Sequence, residues 1–330
     1  MSRPELGRGE RILPGLFRLR LPLPWPGVPH CNAWAVRAGD GLILVDCGMH
    51  QDGSLDQLEY ALTQVGLTLD QVTHLVITHA HADHYGQAAT VVARTGAPLW
   101  MHPDIDHARA GYGDPDGALA RRYEIGRQSG VPDRPLRSFL EHYRDLPSGI
   151  AAFVAADHPL TGGVTLESDL GPLVVYDTPG HAPSHVCLFA PESRVLISGD
   201  HLLGRVSLYF DYGWTPDPIA EFLGGLDTVE ALDARLCVSG HGRPFSDVDA
   251  HIRANRDLVQ ERLRATLAGL ADMPLTALEL VPGIFGEPLT PITASWRLPE
   301  TLSYLTHLER AGAVRRERDG PEDAERWRQA

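Results

Sequence analysis

Six consecutive residues, His79-Ala80-His81-Ala82-Asp83-His84, carry three imidazoles and a carboxylate. They follow the apolar run Leu75-Val76-Ile77, which reads as a short buried strand. They precede Tyr85-Gly86-Gln87-Ala88-Ala89, which opens a helical pattern. The four polar side chains therefore sit on a loop at a strand end. Imidazole nitrogen and carboxylate oxygen at close spacing are what a divalent transition metal needs. One such loop offers more donors than a single ion can use while keeping a position open for water. That suggests two metals side by side.

Three further strand ends repeat the pattern. Val174-Val175-Tyr176 leads to Asp177-Thr178-Pro179-Gly180-His181, Val195-Leu196-Ile197 to Ser198-Gly199-Asp200, and Leu236-Cys237-Val238 to Ser239-Gly240-His241. Each time an apolar strand is followed by a small turn residue and then a metal-capable side chain. Glycine before the ligand lets the backbone turn sharply. A chain that gathers donors from four strand ends must bring those ends together at one edge of its sheets.

The H-x-H-x-D-H loop, followed by His, Asp and His at strand ends in that order, resembles the metallo-β-lactamase superfamily over roughly residues 10 to 245. The resemblance implies a four-layer αββα sandwich with the site at one edge of two sheets. It also implies two metal sites. His79, His81 and His181 would hold the first ion, Asp83, His84 and His241 the second, and Asp200 would bridge both. Two divalent ions, zinc first with iron or manganese as alternatives, would activate a bridging hydroxide as nucleophile. Asp83 would be the catalytic carboxylate that orients it and passes its proton on. No Ser, Cys or Thr nucleophile is needed, and the chain has no G-x-S-x-G elbow.

Other side chains are expected to support this centre. Asp46, closing the strand Leu42–Val45, is placed beside the ligands rather than among them. His185 is expected to hydrogen-bond within the His181 loop. His201, beside Asp200, is equally suited to core packing and to the site. His30 and His102 could reach the cleft. His50, His74, His107, His142, His158, His251 and His307 read as solvated or capping.

Composition narrows the class. The net charge is −14, and all 29 basic residues are Arg, since the chain contains no Lys. Lysine chemistry, including Schiff bases and P-loop nucleotide binding, is thereby excluded. The stretch from His251 onward is nearly balanced in charge, so the negative excess lies in the metal-bearing part. Such a surface attracts phosphate backbones poorly, and nucleic acid is not an expected partner. No apolar run is long enough to span a membrane, and Met1 to Leu6 lacks a signal-peptide core. Cys31, Cys47, Cys187 and Cys237 lie far apart in apolar contexts and read as buried thiols of a cytoplasmic protein.

The ligands need a scaffold. An N-terminal strand-rich segment is predicted: Ile12 to Leu19, Ala33 to Val36, and Leu42 to Val45, with Asp40-Gly41 as a hairpin turn. A helix spans Leu55 to Val65, and Pro98 to Met101 forms the strand after the metal loop. Between His84 and His181 lie 96 residues. Within them, residues 103–163 read as an insert with helices at about 116–129 and 133–146. Its Tyr112, Tyr123, Phe139, His142, Tyr143 and Phe153 could line a lid over the metals; a dimerisation insert is the alternative. The loop Gly204 to Thr215 is dense in aromatics and reads as a substrate wall or a core plug. The catalytic domain is placed at 1–247. A helical C-terminal domain follows at 248–330, with helices at about Val248–Leu270, Leu275–Val281 and Leu298–Glu309. Val314-Arg315-Arg316 and Arg326-Trp327-Arg328 could pair as a wing. The tail resembles the winged-helix-like tails of some relatives and is expected to serve packing, homodimerisation or cap support.

Departures from subfamily patterns bear on substrate. Dedicated metallo-β-lactamases replace the bridging Asp with Cys or Ser, whereas this chain keeps Asp200. Glyoxalase II-type enzymes grip glutathione with lysines, which are absent. Homoserine-lactone hydrolases place Tyr three residues after the bridging Asp, where this chain has Leu203; Tyr209 or Tyr212 could substitute. The reading is a dinuclear hydrolase of a small carboxylic ester, thioester or lactone. The alternatives are a phosphodiesterase or endoribonuclease, a β-lactamase, or a non-catalytic metal-bound module.

Overall fold

The computed structural model describes residues 6–25, 27–287 and 290–330; residues 1–5, most of the segment read above for a leader, lie outside it. Period-two apolar alternation builds the first sheet. Strands β1 (Arg8–Leu13), β2 (Leu16–Trp25), β3 (Val28–Ala38) and β4 (Gly41–Val45) form an antiparallel meander. The run expected as one strand from Ile12 to Leu19 breaks at Pro14-Gly15, where Gly15 takes φ 81°. The two-residue hairpin loop is Gly39-Asp40, because Ala38 already pairs with Gly41. Glycine at the first central position supplies the positive φ such a turn requires.

Helix α1 (Ser54–Thr63) crosses to β5 (Val72–Ile77), and α2 (Ala82–Tyr85) with α3 (Ala88–Thr95) crosses to β6 (Leu99–Met101). Helices α4 (Asp106–Gly113), α5 (Pro115–Gln128) and α6 (Asp133–Arg144) follow, then the edge strand β7 (His158–Pro159). The insert is thus shorter than 103–163, since its last residues return to pair with β6 in the first sheet. Its first helix, α4, was not expected; Asp106–Gly113 carries too few apolar residues to show a helical stripe.

The second sheet contains β8 (Thr165–Leu166), β9 (Leu173–Asp177), β10 (Val186–Ala190), β11 (Val195–Gly199) and, after α7 (Pro218–Glu230), β12 (Leu236–Ser239). Its order is β12-β11-β10-β9-β8. Alternate residues serve different layers. Ile43, Val45, Val76, Val186, Leu188, Val195 and Ile197 face between the sheets. Leu42, Leu44, Leu75 and Ile77 pack outward under α1 and α3. Cys187, Phe189, Leu196 and Cys237 pack outward under α7 and the helix that follows β12. The result is the four-layer αββα sandwich.

Strand direction decides where chemistry can gather. β4, β5 and β6 run parallel, and β9, β11 and β12 share one direction in the other sheet. Their C-terminal ends meet at one edge, the place where parallel-strand folds present loops to ligands. Backbone bonds stitch the sheets there: Val186 N donates to Thr78 O at 2.8 Å and Asn32 N to Gly240 O at 2.7 Å.

The tail comprises α8 (Val248–Gly269), α9 (Ala277–Phe285), α10 (Pro291–Arg310) and the hairpin β13 (Val314–Glu317)–β14 (Arg326–Gln329). The pairing expected across the turn is present, with Arg315 opposite Arg328. Ile252, Val259, Leu280, Leu305 and Trp327 share one apolar cluster with Phe222 and Cys237. The tail also holds the end of α5, where Glu325 N donates to Gln128 O at 2.7 Å and Leu278 N to Ser129 O at 3.0 Å. Trp327 is 1% exposed. Trp327→Ala is therefore expected to cost about 3–5 kcal/mol, read as a lower urea midpoint at unchanged metal content. A shift within about 1 kcal/mol, on the order of a surface change, would show that the hairpin contributes little to the fold. Among the described residues, no helix is long and apolar enough to cross a membrane, and all four cysteines are buried and free.

Candidate metal centre

All seven residues read from the sequence converge at this edge. His79 and His81 follow β5, and His81 precedes α2, whose first turn supplies Asp83 and His84. His181 follows β9, Asp200 follows β11, and His241 follows β12. His79, His81 and His181 place one donor atom each within 4.8 Å of one another, as do Asp83, His84 and His241, and also His79, His84 and Asp200. Asp200 touches both groups. Its Oδ1 is 3.4 Å from His84 Nε2, and its Oδ2 is 3.3 Å from His241 Nε2 and 3.8 Å from His181 Nε2. Gly240 is needed here, because a Cβ would be driven into Asp200 Oδ1 and His84 Cε1.

Each imidazole is oriented by its other nitrogen. His79 Nδ1 meets Thr78 Oγ1 at 3.1 Å, and His84 Nδ1 donates to Asp46 Oδ2 at 2.8 Å. His181 Nδ1 donates to Tyr209 O at 3.1 Å, and His241 Nδ1 to His30 O at 2.9 Å. His81 is reversed: its Nε2 donates to Asp211 Oδ2 at 2.8 Å, leaving Nδ1 aimed at His181 Nε2, 3.0 Å away. This pattern of one nitrogen held and one turned inward is what metal-binding histidines need. Three of the inward atoms, His79 Nε2, His84 Nε2 and Asp200 Oδ1, are buried without a hydrogen-bond partner. A buried polar atom left unpaired costs about 1–3 kcal/mol, and three converging ones fit a cation.

Electrostatics divide the histidines. Burial would lower His84 and His241, but Asp83 and Asp200 raise His84 well above its ordinary pKa and Asp200 and Asp83 bring His241 to about 10, so a cation there displaces protons. Burial first, then the neighbouring His84, His81 and His181, pushes His79 well below its ordinary pKa. Burial and His81 bring His181 to about 4. Both present neutral nitrogens, the form a cation binds. On the other side burial would raise Asp83, but His84 and His241 hold it at about 2. Burial would likewise raise Asp200, yet His241 and His84 keep it well below the usual carboxylate range. The pocket therefore holds two ionised carboxylates away from water, which draws positive charge.

The supporting residues divide. Asp46 sits beside the ligands as expected, and it also accepts from Thr78 N at 2.8 Å and Thr78 Oγ1 at 2.9 Å. His185 holds Thr178 Oγ1 at 2.9 Å and accepts from Asp200 N at 3.0 Å, fixing the turn that presents Asp200. His201 packs in the core against Phe222. His102 faces Asp177 Oδ1 at 3.7 Å rather than the cluster. His30 contributes its backbone carbonyl, and its Nε2 lies 3.3 Å from Arg18 Nη2.

His107 corrects the sequence reading. Its side chain is buried rather than solvated, 3.4 Å from Ser184 Oγ and 4.0 Å from Asp211 Oδ2. The insert thus reaches the centre through α4. Among the aromatics read as a lid, Phe153 packs on Tyr85 and Tyr112, Tyr123 donates to Asp133 at 2.7 Å, and Tyr143 stacks under Arg122, both close enough to Tyr209 to act on its hydroxyl. In the loop 204–215 the two readings are both present. Leu208 and Phe210 plug the core, while the Tyr209 ring stands edge-on to His81 and His181. Asp211, which sequence reading left without a role, holds His81. Its one signal was alternation, since Tyr209 and Asp211 flank the buried Phe210. Asp211→Asn is expected to weaken metal affinity about tenfold with the fold retained, read by competition with a chromophoric chelator. Unchanged affinity would show that His81 needs no such anchor.

The sequence profile of the metallo-beta-lactamase superfamily matches residues 26–241. The chain belongs to the metallo-beta-lactamase superfamily. Among its relatives, the probable metallo-hydrolase YqjP of Bacillus subtilis (strain 168) is 26% identical over 321 residues, 91% of this chain and 93% of that protein. A metallo-beta-lactamase family protein from Thermus thermophilus is 28% identical, with a TM-score of 0.81 over 97% of this chain and 100% of that one. A beta-lactamase domain protein from Burkholderia ambifaria is 27% identical, with a TM-score of 0.83 over 100% of this chain and 96% of that one. Both superfamily structures span the insert and the tail as well as the sandwich, so the whole architecture recurs.

Proposed function

We propose that this metallo-hydrolase is a dinuclear enzyme cleaving a small carboxylic ester, thioester or lactone. The observation that carries the reading is the set of seven donors, three of them buried and unpaired, converging at one edge of the two sheets. His79, His81 and His181 would hold one divalent ion, Asp83, His84 and His241 the other, and Asp200 would touch both. Two such ions, when bound, lower the pKa of a shared water toward neutrality and polarise a carbonyl oxygen. The chain's own groups do the rest. Asp83 stays ionised beside His241 Nε2, 3.1 Å away, and accepts the proton of the attacking water. The Tyr209 ring forms an apolar wall beside His81 and His181, suited to an acyl group. The retained Asp200 and the absence of lysine disfavour a dedicated β-lactamase and a glutathione-gripping enzyme.

The test uses metal-loaded protein. Elemental analysis is expected to give close to two equivalents per chain, and turnover is expected on esters, thioesters or lactones within a panel that includes β-lactams and phosphodiesters. Activity confined to phosphodiesters or β-lactams would overturn the substrate class. One equivalent at saturating metal, with Asp83→Ala unaltered, would overturn the dinuclear reading.

A further inference from the structure

Arginine is the only basic residue type with a fixed charge in this chain of net charge −14, and four of its 29 arginines meet in one place. A cleft of about 340 Å³ is lined by Arg8, Glu10, Arg18, Arg20, Arg243 and Pro244. Strand register builds it. Arg8 lies opposite Arg20, and Glu10 opposite Arg18, on β1 and β2, while Arg20 lies opposite Asn32 on β3. Arg243 comes from the loop after β12, two residues beyond His241. The cleft therefore lies beside the metal centre, across the His241 loop.

Arg18 forms its floor. The side chain is 7% exposed. Its Nε donates to Asn32 Oδ1 at 2.8 Å, and its Nη2 donates to Gly242 O at 2.6 Å. Asn32 Nδ2 donates to Gly242 O and to Ser239 O, so the same network pins the loop that presents His241. Glu10 answers Arg18 at 3.7 Å and is itself half exposed. Among the described lining residues it is the single carboxylate against four guanidinium groups. Burial lowers the Arg18 pKa, Glu10 opposes that, and Arg20, Arg243 and Arg8 lower it further, so the three other charges are felt at the floor.

We infer that this cleft binds a multiply charged phosphate group, a monophosphate or pyrophosphate moiety, beside the metal centre. Forked guanidinium donors match phosphate oxygens bidentately. Arg18, its donors already committed to Asn32, Gly242 and Glu10, adds a fixed charge at the floor, and the three other forks in the lining give the cleft a positive field within an acidic protein. The cleft is bounded by the β1–β2 hairpin and the His241 loop, which suits a compact group rather than a polynucleotide track. The phosphate could belong to a substrate tail held away from the scissile bond or to a free anion acting on the His241 loop. The substrate-tail form rests on the hydrolase reading; the binding itself does not.

The probe is pyrophosphate, with inorganic phosphate beside it, titrated by calorimetry into the metal-loaded full chain. Saturable binding is expected to weaken at least about tenfold in Arg8→Ala/Arg20→Ala/Arg243→Ala and to weaken with rising salt. Metal content should be unchanged in that variant. Arg18 is left intact because it is built into the fold. Binding equal in wild type and variant would place the anion on the metals and overturn the inference, as would no binding at all. Stronger binding of single-stranded RNA than of pyrophosphate, lost in the same variant, would overturn it in favour of a nucleic-acid surface. Kinetics separate the two sources. Competition by pyrophosphate confined to phosphate-bearing esters assigns the cleft to the substrate tail. An equal effect on uncharged esters assigns it to a free anion. If no ester is turned over, the calorimetric result still stands.

Discussion

Asp200→Asn should lower kcat by at least about a hundredfold, because on the dinuclear reading proposed above Asp200 would space the two ions that would activate the attacking water, and should leave close to one metal equivalent per chain. Its two oxygens lie within 3.4 Å of His84 Nε2 and 3.3 Å of His241 Nε2, with His181 Nε2 at 3.8 Å, so one carboxylate serves both halves of the cluster. Asparagine keeps the shape but removes the charge that offsets repulsion between two cations. Its amide would also point N–H toward nitrogens that must remain acceptors. The turn should survive, because Asp200 N still reaches His185 Nε2. Asp200→Ser should retain the ion that His79, His81 and His181 would hold, with weak hydrolysis. Elemental analysis beside steady-state kinetics decides the matter. A full metal complement at wild-type turnover would remove Asp200 from the ligand set and, with it, the main argument against a β-lactamase.

Asp46→Asn should weaken metal binding about 10–100-fold while the protein folds. Asp46 is 1% exposed and adopts φ 62°, a left-handed conformation that Asp and Asn tolerate better than most residues. Its carboxylate accepts from Thr78 N, Thr78 Oγ1 and His84 Nδ1 at once. Asparagine can satisfy Thr78 with its oxygen, but its NH₂ then faces His84 Nδ1. That reverses the tautomer and puts a proton on Nε2, where the cation would bind. Asp46→Ala should do more. It leaves buried donors unpaired at about 1–3 kcal/mol each and places alanine at positive φ. A chelator competition and a urea titration separate the two effects. Equal metal affinity in Asp46→Asn and wild type would show that His84 is oriented by packing alone.

The donor set was legible in the sequence because strand and ligand are adjacent in the chain. An apolar run, a glycine turn and a His or Asp specify both the element and the residue it presents. The apolar runs Leu42–Val45 and Val195–Ile197 likewise specified strands buried on both faces, and the tail hairpin followed from the Arg-rich segments flanking Asp319-Gly320. These signals are local, and local geometry suffices to produce them.

What joins the donors is not local. Asp211 finds His81 across 130 residues, and Asp46 finds His84 across 38. Neither pairing has a spacing rule; each arises because parallel strands end at one edge. His107 looked solvated because α4 lacks an apolar stripe, yet Ser184, Asp211, His81 and Trp214, from distant parts of the chain, surround it at the centre. The three arginines around Arg18 are scattered charges in the chain, and only the β1–β2 register and the His241 loop make them one cleft. The sequence by itself determined the candidate donors and their strands; the order and direction of those strands, set by packing in three dimensions, decided every partner that orients them.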